Sequence, residues 1–362
     1  MKLAEVTNAL ERIAPTRFAE SWDNVGLLAG DPEQDVTRAM LMIDYTDAVA
    51  AEAQAAKCEL VIAYHPPLFD AVKRLRAGEL VFDAIRRGVA IYSPHTALDV
   101  AEGGTNDTLA DAIGLSERSP LRLVEPKATQ YKLVTFVPEK DVERVSRALF
   151  DAGAGRIGNY TSCSFRSGGT GTFFGEEGTK PAIGQSGRLE MAAEIRVETI
   201  VEMRNIERVI RALRESHPYE EPAFDLNQLA AAPTGLGLGR VGTLPPSPRG
   251  TLIEKIKREL GLDHVLVSGP TEGDVTKAAV CAGACGDLLD DALRAGVGLY
   301  LTGEIRHHDA IKAARAGVTV ICTLHSNSER PVLKRVKKKL EELVPGLDVR
   351  ISESDRDPFV VR

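Results

Sequence analysis

Imidazole and carboxylate side chains follow four separate apolar runs in this sequence. LVIAY (60–64) ends in Tyr64 and leads into His65, and VAIYS (89–93) leads to His95, with Asp99 four residues later. VGLYLTG (297–303) leads to Glu304 and then His307 and His308, and VTVICTL (318–324) leads to His325, with Glu329 four residues later. Imidazole nitrogen and carboxylate oxygen together suit borderline divalent ions such as zinc, iron or manganese. Residues i and i+4 share a helix face, so His325 and Glu329 can present both groups to one ion if a helix begins near Ser326. A carboxylate has two oxygens, so Asp99 or Glu329 can bridge two ions, and ions roughly 3.5–4 Å apart can polarise a substrate and activate a shared water. Any single His after a strand more often makes a structural hydrogen bond; it is the set His65, Asp99, His325 and Glu329 that favours a metal. His307 and His308 open a surface helix and read as structural, and His217 and His264 lie away from the set. Asp44 and Asp47 flank a strand end. For Asp47, helix capping is at least as good an account as a place in the site.

The elements that position these residues are legible from periodicity. Residues 2–13 read as a helix, 39–45 as a buried strand, 48–57 as an Ala-rich helix and 60–64 as a second buried strand. A helix over 79–88 stops at Gly88 before the strand 89–93, and a helix over 105–114 has Thr105 as its cap and Gly114 as its end. The last third keeps the same alternation. Strands at 277–283, 297–303 and 318–324 are interleaved with helices at 287–296 and 308–317, and a charged helix runs from 329 to 343. Continuous apolar strands alternating with helices predict an α/β fold with parallel sheets covered on both faces. Ligands in such sheets bind beyond the carboxyl ends of the strands, where all four sets lie. The middle, 130–228, reads instead as β-α-β-β-α-β, a ferredoxin-like α+β unit inserted into the α/β protein. The Gly-rich GGTGTFFG (168–175) and GLGLGRVG (235–242) lack a strand-to-helix phosphate-loop pattern and read as turns and bulges. SWDNVGLLAG (21–30) reads as a turn at Asp23-Asn24 and a short strand, with the sole tryptophan, Trp22, packed.

Length and composition set the frame. A chain of 362 residues exceeds one ordinary core, and 43% hydrophobic with 27% charged residues is a globular balance. The net charge of −7 argues against a general nucleic-acid binder. The one dense basic run, Lys334–Lys339, reads as a solvated helix face. The first residues lack the apolar run of a signal peptide, no stretch is apolar enough to span a bilayer, and the five cysteines are odd in number and scattered. A cytoplasmic protein without disulfides and without membrane association is expected.

SWDNVGLL, YHPPLF, YSPHTALDVAEGGTNDTLA, HPYEEPAFDL, GLGLGRVG, YLTGEIRHHDA and LHSNSE occur in that order. In these motifs the chain resembles, nearly end to end, the Nif-three-like dinuclear metal centre proteins, also labelled GTP cyclohydrolase 1 type 2 homologues. The resemblance implies two related α/β halves with parallel-type sheets, here 1–125 and 235–362, and a PII- and CutA-like insert at 130–228. It implies a homohexamer, a trimer of dimers with metal sites facing an inner cavity, and up to two divalent transition-metal ions per subunit. The family's ligands fall on Tyr64-His65, Asp99, His325 and Glu329. Tyr64 departs from the His of many members and is a poorer ligand unless ionised. His95 is expected beside the metal, Glu304 as general base or as support for a ligand, His95 or Glu304 as proton shuttle, and His308 as a weaker candidate. The activity implied is metal-dependent hydrolysis of GTP or of another nucleotide or phosphate-containing small molecule, although no guanine-reading pocket or phosphate loop is legible. The alternative is a non-catalytic, metal-braced hexameric regulator or scaffold whose PII-like insert senses a ligand or binds a partner.

Overall fold

Apolar residues buried on both faces make the inner strands: Leu60–Ala63, Ala90–Ser93 and Thr319–Cys322 are buried throughout. The computed structural model describes residues 1–124, 129–231 and 234–360, and the expected boundary at residue 125 lies outside them. The chain divides into two compact units, Met1–Val124 with Thr234–Arg362, and Glu125–Pro233.

The first unit holds two sheets. One has five strands in the order Gly26–Ala29, Ala90–Ser93, Leu60–Ala63, Arg38–Met42 and Asp348–Ile351. All neighbours are parallel except the antiparallel edge at Gly26–Ala29. The other has six, in the order Leu266–Ser268, Thr319–Cys322, Leu299–Glu304, Asp274–Ala284, Gly237–Pro248 and Ser116–Leu123. Its three middle pairings include the parallel run Asp274–Ala284, Leu299–Glu304, Thr319–Cys322, and its flanks are antiparallel. The parallel strands expected around both ligand sets are present; the antiparallel edges are an addition.

The cores do not follow the expected segments 1–125 and 235–362. Helix Thr105–Ile113 and strand Ser116–Leu123 join the second sheet, where Leu109, Ile113 and Leu115 pack with Leu252, Ile256 and Val280. In return helix Val332–Leu343 and strand Asp348–Ile351 join the first. The reason lies in the apolar stripes: Val332, Leu333, Val336 and Leu340 form one helix face that meets Leu3, Val6 and Leu10 of the N-terminal helix.

Several local expectations are corrected. Thr46, not Asp47, caps helix Asp47–Ala55, accepting from the Val49 amide at 3.4 Å. Thr105 is the first helical residue behind Gly104, so its hydroxyl is free for other work. GGTGTFFG is no turn: Ser164–Phe174 pairs residue by residue with Leu189–Glu202. GLGLGRVG does include a bulge, between Val241 and Thr243, and at Gly237 and Gly242 a Cβ would meet a carbonyl oxygen of the neighbouring strand at 2.1 and 2.3 Å. The helix expected over 329–343 begins later, at Val332 behind Pro331, and Glu329 instead closes a separate short helix, His325–Glu329. Cys58, Cys281 and Cys322 are buried, and no cysteine is paired. Among the described residues no helix is long and apolar enough to cross a membrane.

The last segment is fastened by Glu52, which accepts from the Ser352 hydroxyl (2.6 Å) and the amides of Glu353 and Ser354 (2.9 Å each). Burial raises the Glu52 carboxyl, but these hydrogen bonds outweigh it and bring it down to about 2. A depressed carboxylate stabilises the fold above its ordinary value of 4.5 and loses that contribution as the pH falls through about 2. Glu52→Gln is therefore expected to lower stability at neutral pH by about 1 kcal/mol, after allowance for solvent screening. The difference from the wild type should shrink as urea melts are repeated between pH 5 and about 2.

The second unit follows the order β-α-β-β-α-β that its sequence predicts. Strands Gln130–Pro138, Ser164–Phe174, Leu189–Glu202 and Phe224–Gln228 form one antiparallel sheet, with Leu189–Glu202 and Gln130–Pro138 at its centre. Helices Val142–Asp151 and Ile206–Ser216 bring Val145, Leu149, Val209 and Leu213 onto Leu133, Val137, Val197 and Val201, a core of its own.

Candidate metal centre

The strand ends of the first unit converge. His65 follows Leu60–Ala63, and His325 opens a short helix directly after Thr319–Cys322 and two connecting residues. That helix starts at His325 itself, so Glu329 falls one turn on, with Oε1 3.2 Å from His325 Nε2. Glu329 Oε2 is 3.3 Å from His65 Nε2. His65, His325 and Glu329 offer ligand atoms that all lie within 4.8 Å of one another, so this group could hold a metal ion. Leu324, just before it, has φ +69°, a conformation costing a non-glycine residue roughly 1–3 kcal/mol and typical of functional sites.

Each imidazole is oriented through its other nitrogen. Asp44 Oδ1 lies 2.8 Å from His65 Nδ1, Glu304 Oε1 2.9 Å from His325 Nδ1, and Asp23 Oδ1 2.8 Å from His95 Nδ1. Carboxylates in this position fix the tautomer and raise the basicity of a ligating His. Asp23 is itself held, accepting from the Thr96 amide (3.1 Å) and hydroxyl (2.5 Å), with no exposed side-chain surface. The His95 ring stands 5.3 Å from that of His65, as does that of His325. Asp99, expected as a ligand, falls outside the converging group: its carboxylate accepts from the hydroxyl of Tyr64, which also lies 3.2 Å from Thr105 Oγ1.

The electrostatics suit a cation. Burial pulls His65 down, but Asp44 and Glu329 outweigh it and hold the imidazole up at about 10. Glu329 raises His325 to about 9 against burial. Burial pushes Glu329 up, and the two imidazoles more than reverse it. Burial also lifts Asp99, helped by the charge of Glu329, to about 6. Burial, then the Asp99 charge, drives Tyr64 well above its ordinary value, so it stays a neutral hydroxyl. Glu329 Oε2 is buried without a hydrogen-bond partner among the described residues; its approach to His65 has the distance of an ion pair but not the alignment of a hydrogen bond. A buried, unsatisfied carboxylate oxygen between two imidazole nitrogens fits a divalent ion, which would displace the imidazole protons on binding.

Other expected residues separate cleanly. Glu304 is placed as the support of His325. His307 and His308 begin helix His307–Arg315 on the surface, their rings 5.4 Å apart. His217 is buried in the second unit with Nε2 3.0 Å from the Phe136 carbonyl. Asp44 belongs to the site and Asp47 does not. Asp23 went unrecognised because its position in a turn motif gave an adequate local account. Trp22, expected packed, is instead 58% exposed, 5.9 Å from the half-exposed Phe69 and 6.1 Å from His95, ring to ring.

The sequence profile of Duf34/NIF3 (NGG1p interacting factor 3) matches residues 1–358. A "GTP cyclohydrolase 1 type 2 homolog" of Halalkalibacterium halodurans is 38% identical over 375 residues, covering 99% of either chain. One of Mycobacterium tuberculosis is 38% identical over 368 residues, covering 99% of this chain and 97% of its own. Among solved structures, a Bacillus cereus protein related to NIF3 superposes with TM-score 0.68 at 34% identity, covering 100% of this chain and 99% of its own. A Staphylococcus aureus protein does so with TM-score 0.76 at 28% identity and the same coverage. With a profile match across almost its whole length and relatives of this identity, the chain belongs to the Duf34/NIF3 family.

Proposed function

We propose that this protein is a divalent-metal-dependent hydrolase acting on a nucleotide or another phosphate-containing small molecule, with zinc, iron or manganese on His65, His325 and Glu329. The observation that carries this reading is three converging ligands with an open side. The His65 and His325 side chains keep 25% and 38% of their surface exposed, whereas structural sites are usually closed by four protein ligands. A bound ion there would lower the pKa of a coordinated water and polarise a phosphoryl or carbonyl oxygen. Asp44 and Glu304 orient the two imidazoles, and His95, fixed by Asp23, keeps Nε2 available to take or return a proton.

The substrate class is supported by two exposed aromatic side chains, Trp22 beside His95 and Phe69 beside Trp22. Such faces stack planar bases at about 1–3 kcal/mol each. Trp22→Ala is expected to raise KM for a nucleotide by about tenfold or more, with metal content unchanged in elemental analysis. The parent test is a screen of nucleotides, GTP included, and phosphate esters with the metal-loaded protein and a Glu329→Gln control. Turnover confined to the loaded wild type supports the enzyme. Silence across the panel with the ion bound would put the alternative in front, a metal-braced regulator.

That alternative draws on the second unit, whose ferredoxin-like strand order and separate core suit an inserted PII- or CutA-like module. It carries an open cleft of about 610 Å³ between the Gly-rich strand and residues around Tyr219, a volume in the usual range for ligand pockets. A homohexamer remains part of the proposal, checked by sedimentation mass.

A further inference from the structure

We propose that Tyr64 limits this centre to one tightly held ion by occupying the carboxylate of Asp99. The inference rests on the reading of His65, His325 and Glu329 as metal ligands. Asp99 has the chemistry of a ligand and sits one strand end away, yet it stays outside the converging group. Its carboxylate is already engaged: Tyr64 donates its hydroxyl to Asp99 Oδ1. Tyr64 has little freedom to withdraw. It is 1% exposed, its hydroxyl also lies against Thr105 Oγ1 at 3.2 Å, and its ring is wedged 5.3 Å from that of His65 and 5.7 Å from that of His95. The Asp99 main chain is held as well, with Asn106 donating to its backbone carbonyl at 3.0 Å.

The negative charge of Asp99 is thus answered by a protein O–H, the role a second cation would otherwise take. An ion approaching Asp99 beside His95 would face the hydroxyl proton on Oδ1, and displacing the buried phenol would cost its bond to Asp99 and leave it Thr105 Oγ1 as its one remaining partner among the described residues. Tyr64 is a positioning residue in this account: it sets how many ions the centre takes without itself binding one.

Zinc titration of the metal-free protein by equilibrium dialysis and elemental mass spectrometry tests this. The wild type is expected to saturate at one ion per chain. Tyr64→Phe keeps the ring, removes the hydroxyl and exposes Asp99 to a cation, so it should take two; adding Asp99→Asn to it should return the count to one. Asp99→Asn alone, which keeps an acceptor for Tyr64, should hold its single ion within about tenfold of the wild-type affinity, the mild end of effects outside the ligand shell. This arm stands even if Tyr64→Phe fails to fold. Two ions of similar affinity in the wild type, one in a folded Tyr64→Phe, or loss of the ion in Asp99→Asn would each overturn the assignment. No ion in the wild type would overturn the metal centre itself, and this inference with it.

Discussion

Glu329→Gln is expected to weaken zinc or manganese binding by more than about a hundredfold, beyond what the loss of a supporting group outside the ligand shell costs. Each Glu329 oxygen faces one imidazole, Oε1 that of His325 and the unsatisfied Oε2 that of His65, and the side chain is 4% exposed. Gln offers one neutral oxygen and an amide whose N–H groups point a positive edge at the cation. The imidazoles should keep their places, since Asp44 and Glu304 hold them from the far side. The fold is therefore expected to survive, with an unchanged circular dichroism spectrum, while elemental analysis finds the ion gone. An unchanged metal content would remove Glu329 from the centre.

Gly283→Ala should damage the same centre from a residue that binds nothing. Gly283 ends the long strand of the second sheet with φ +73°, and a Cβ there would lie 2.8 Å from Glu329 Oε1 and 3.5 Å from His325 Nε2. Its amide is also fixed by Ser328 Oγ at 2.8 Å, and that hydroxyl donates in turn to the His325 carbonyl at 2.7 Å. The strand cannot retreat without moving the helix that carries both ligands. The expected result is a stability loss of about 1–3 kcal/mol and metal affinity reduced by about tenfold or more. Gly296→Ala separates the two causes. It has a similar φ of +67° but meets nothing within 4 Å, so it should lose stability from the backbone alone and bind metal normally. Equal metal affinity in the two variants would mean that Glu329 has room to move.

The converging His65, His325 and Glu329 were legible because strand ends are. Apolar runs at 60–64 and 318–324 stop at His65 and His325, and the i, i+4 spacing places Glu329 once a helix begins. Their supports were harder to read. Asp23 reaches His95 across 72 positions of sequence and Glu304 reaches His325 across 21, and neither spacing carries a period. Asp99 marks a different limit of the sequence. Its spacing from His95 suits a ligand, but whether a carboxylate faces an ion or a phenol depends on which neighbour the sheet order brings, here Tyr64 from the adjacent strand. Trp22 failed on composition: tryptophan is usually packed, and nothing local marks one standing beside a polar site. The exchange of Ser116–Leu123 and Asp348–Ile351 between sheets was likewise hidden, since neither segment carries the continuous apolar run of an inner strand.

The second unit also bears on how the centre comes together. His65 and His325 lie on opposite sides of it in the chain, so bringing them into contact closes a very long loop. The unit has its own core, and its entry and exit are adjacent: Tyr131 pairs with Gln228, and the Leu229 amide bonds to the Gln130 carbonyl at 3.0 Å. Once that small sheet has formed, the chain between its two ends counts as a few residues and no longer as about a hundred. The loop from His65 to His325 falls from about 260 residues to about 160, which recovers roughly 0.4 kcal/mol of closure entropy. Early folding of the second unit would therefore ease, by a small margin, the meeting of the segment that carries His325 with the one that carries His65.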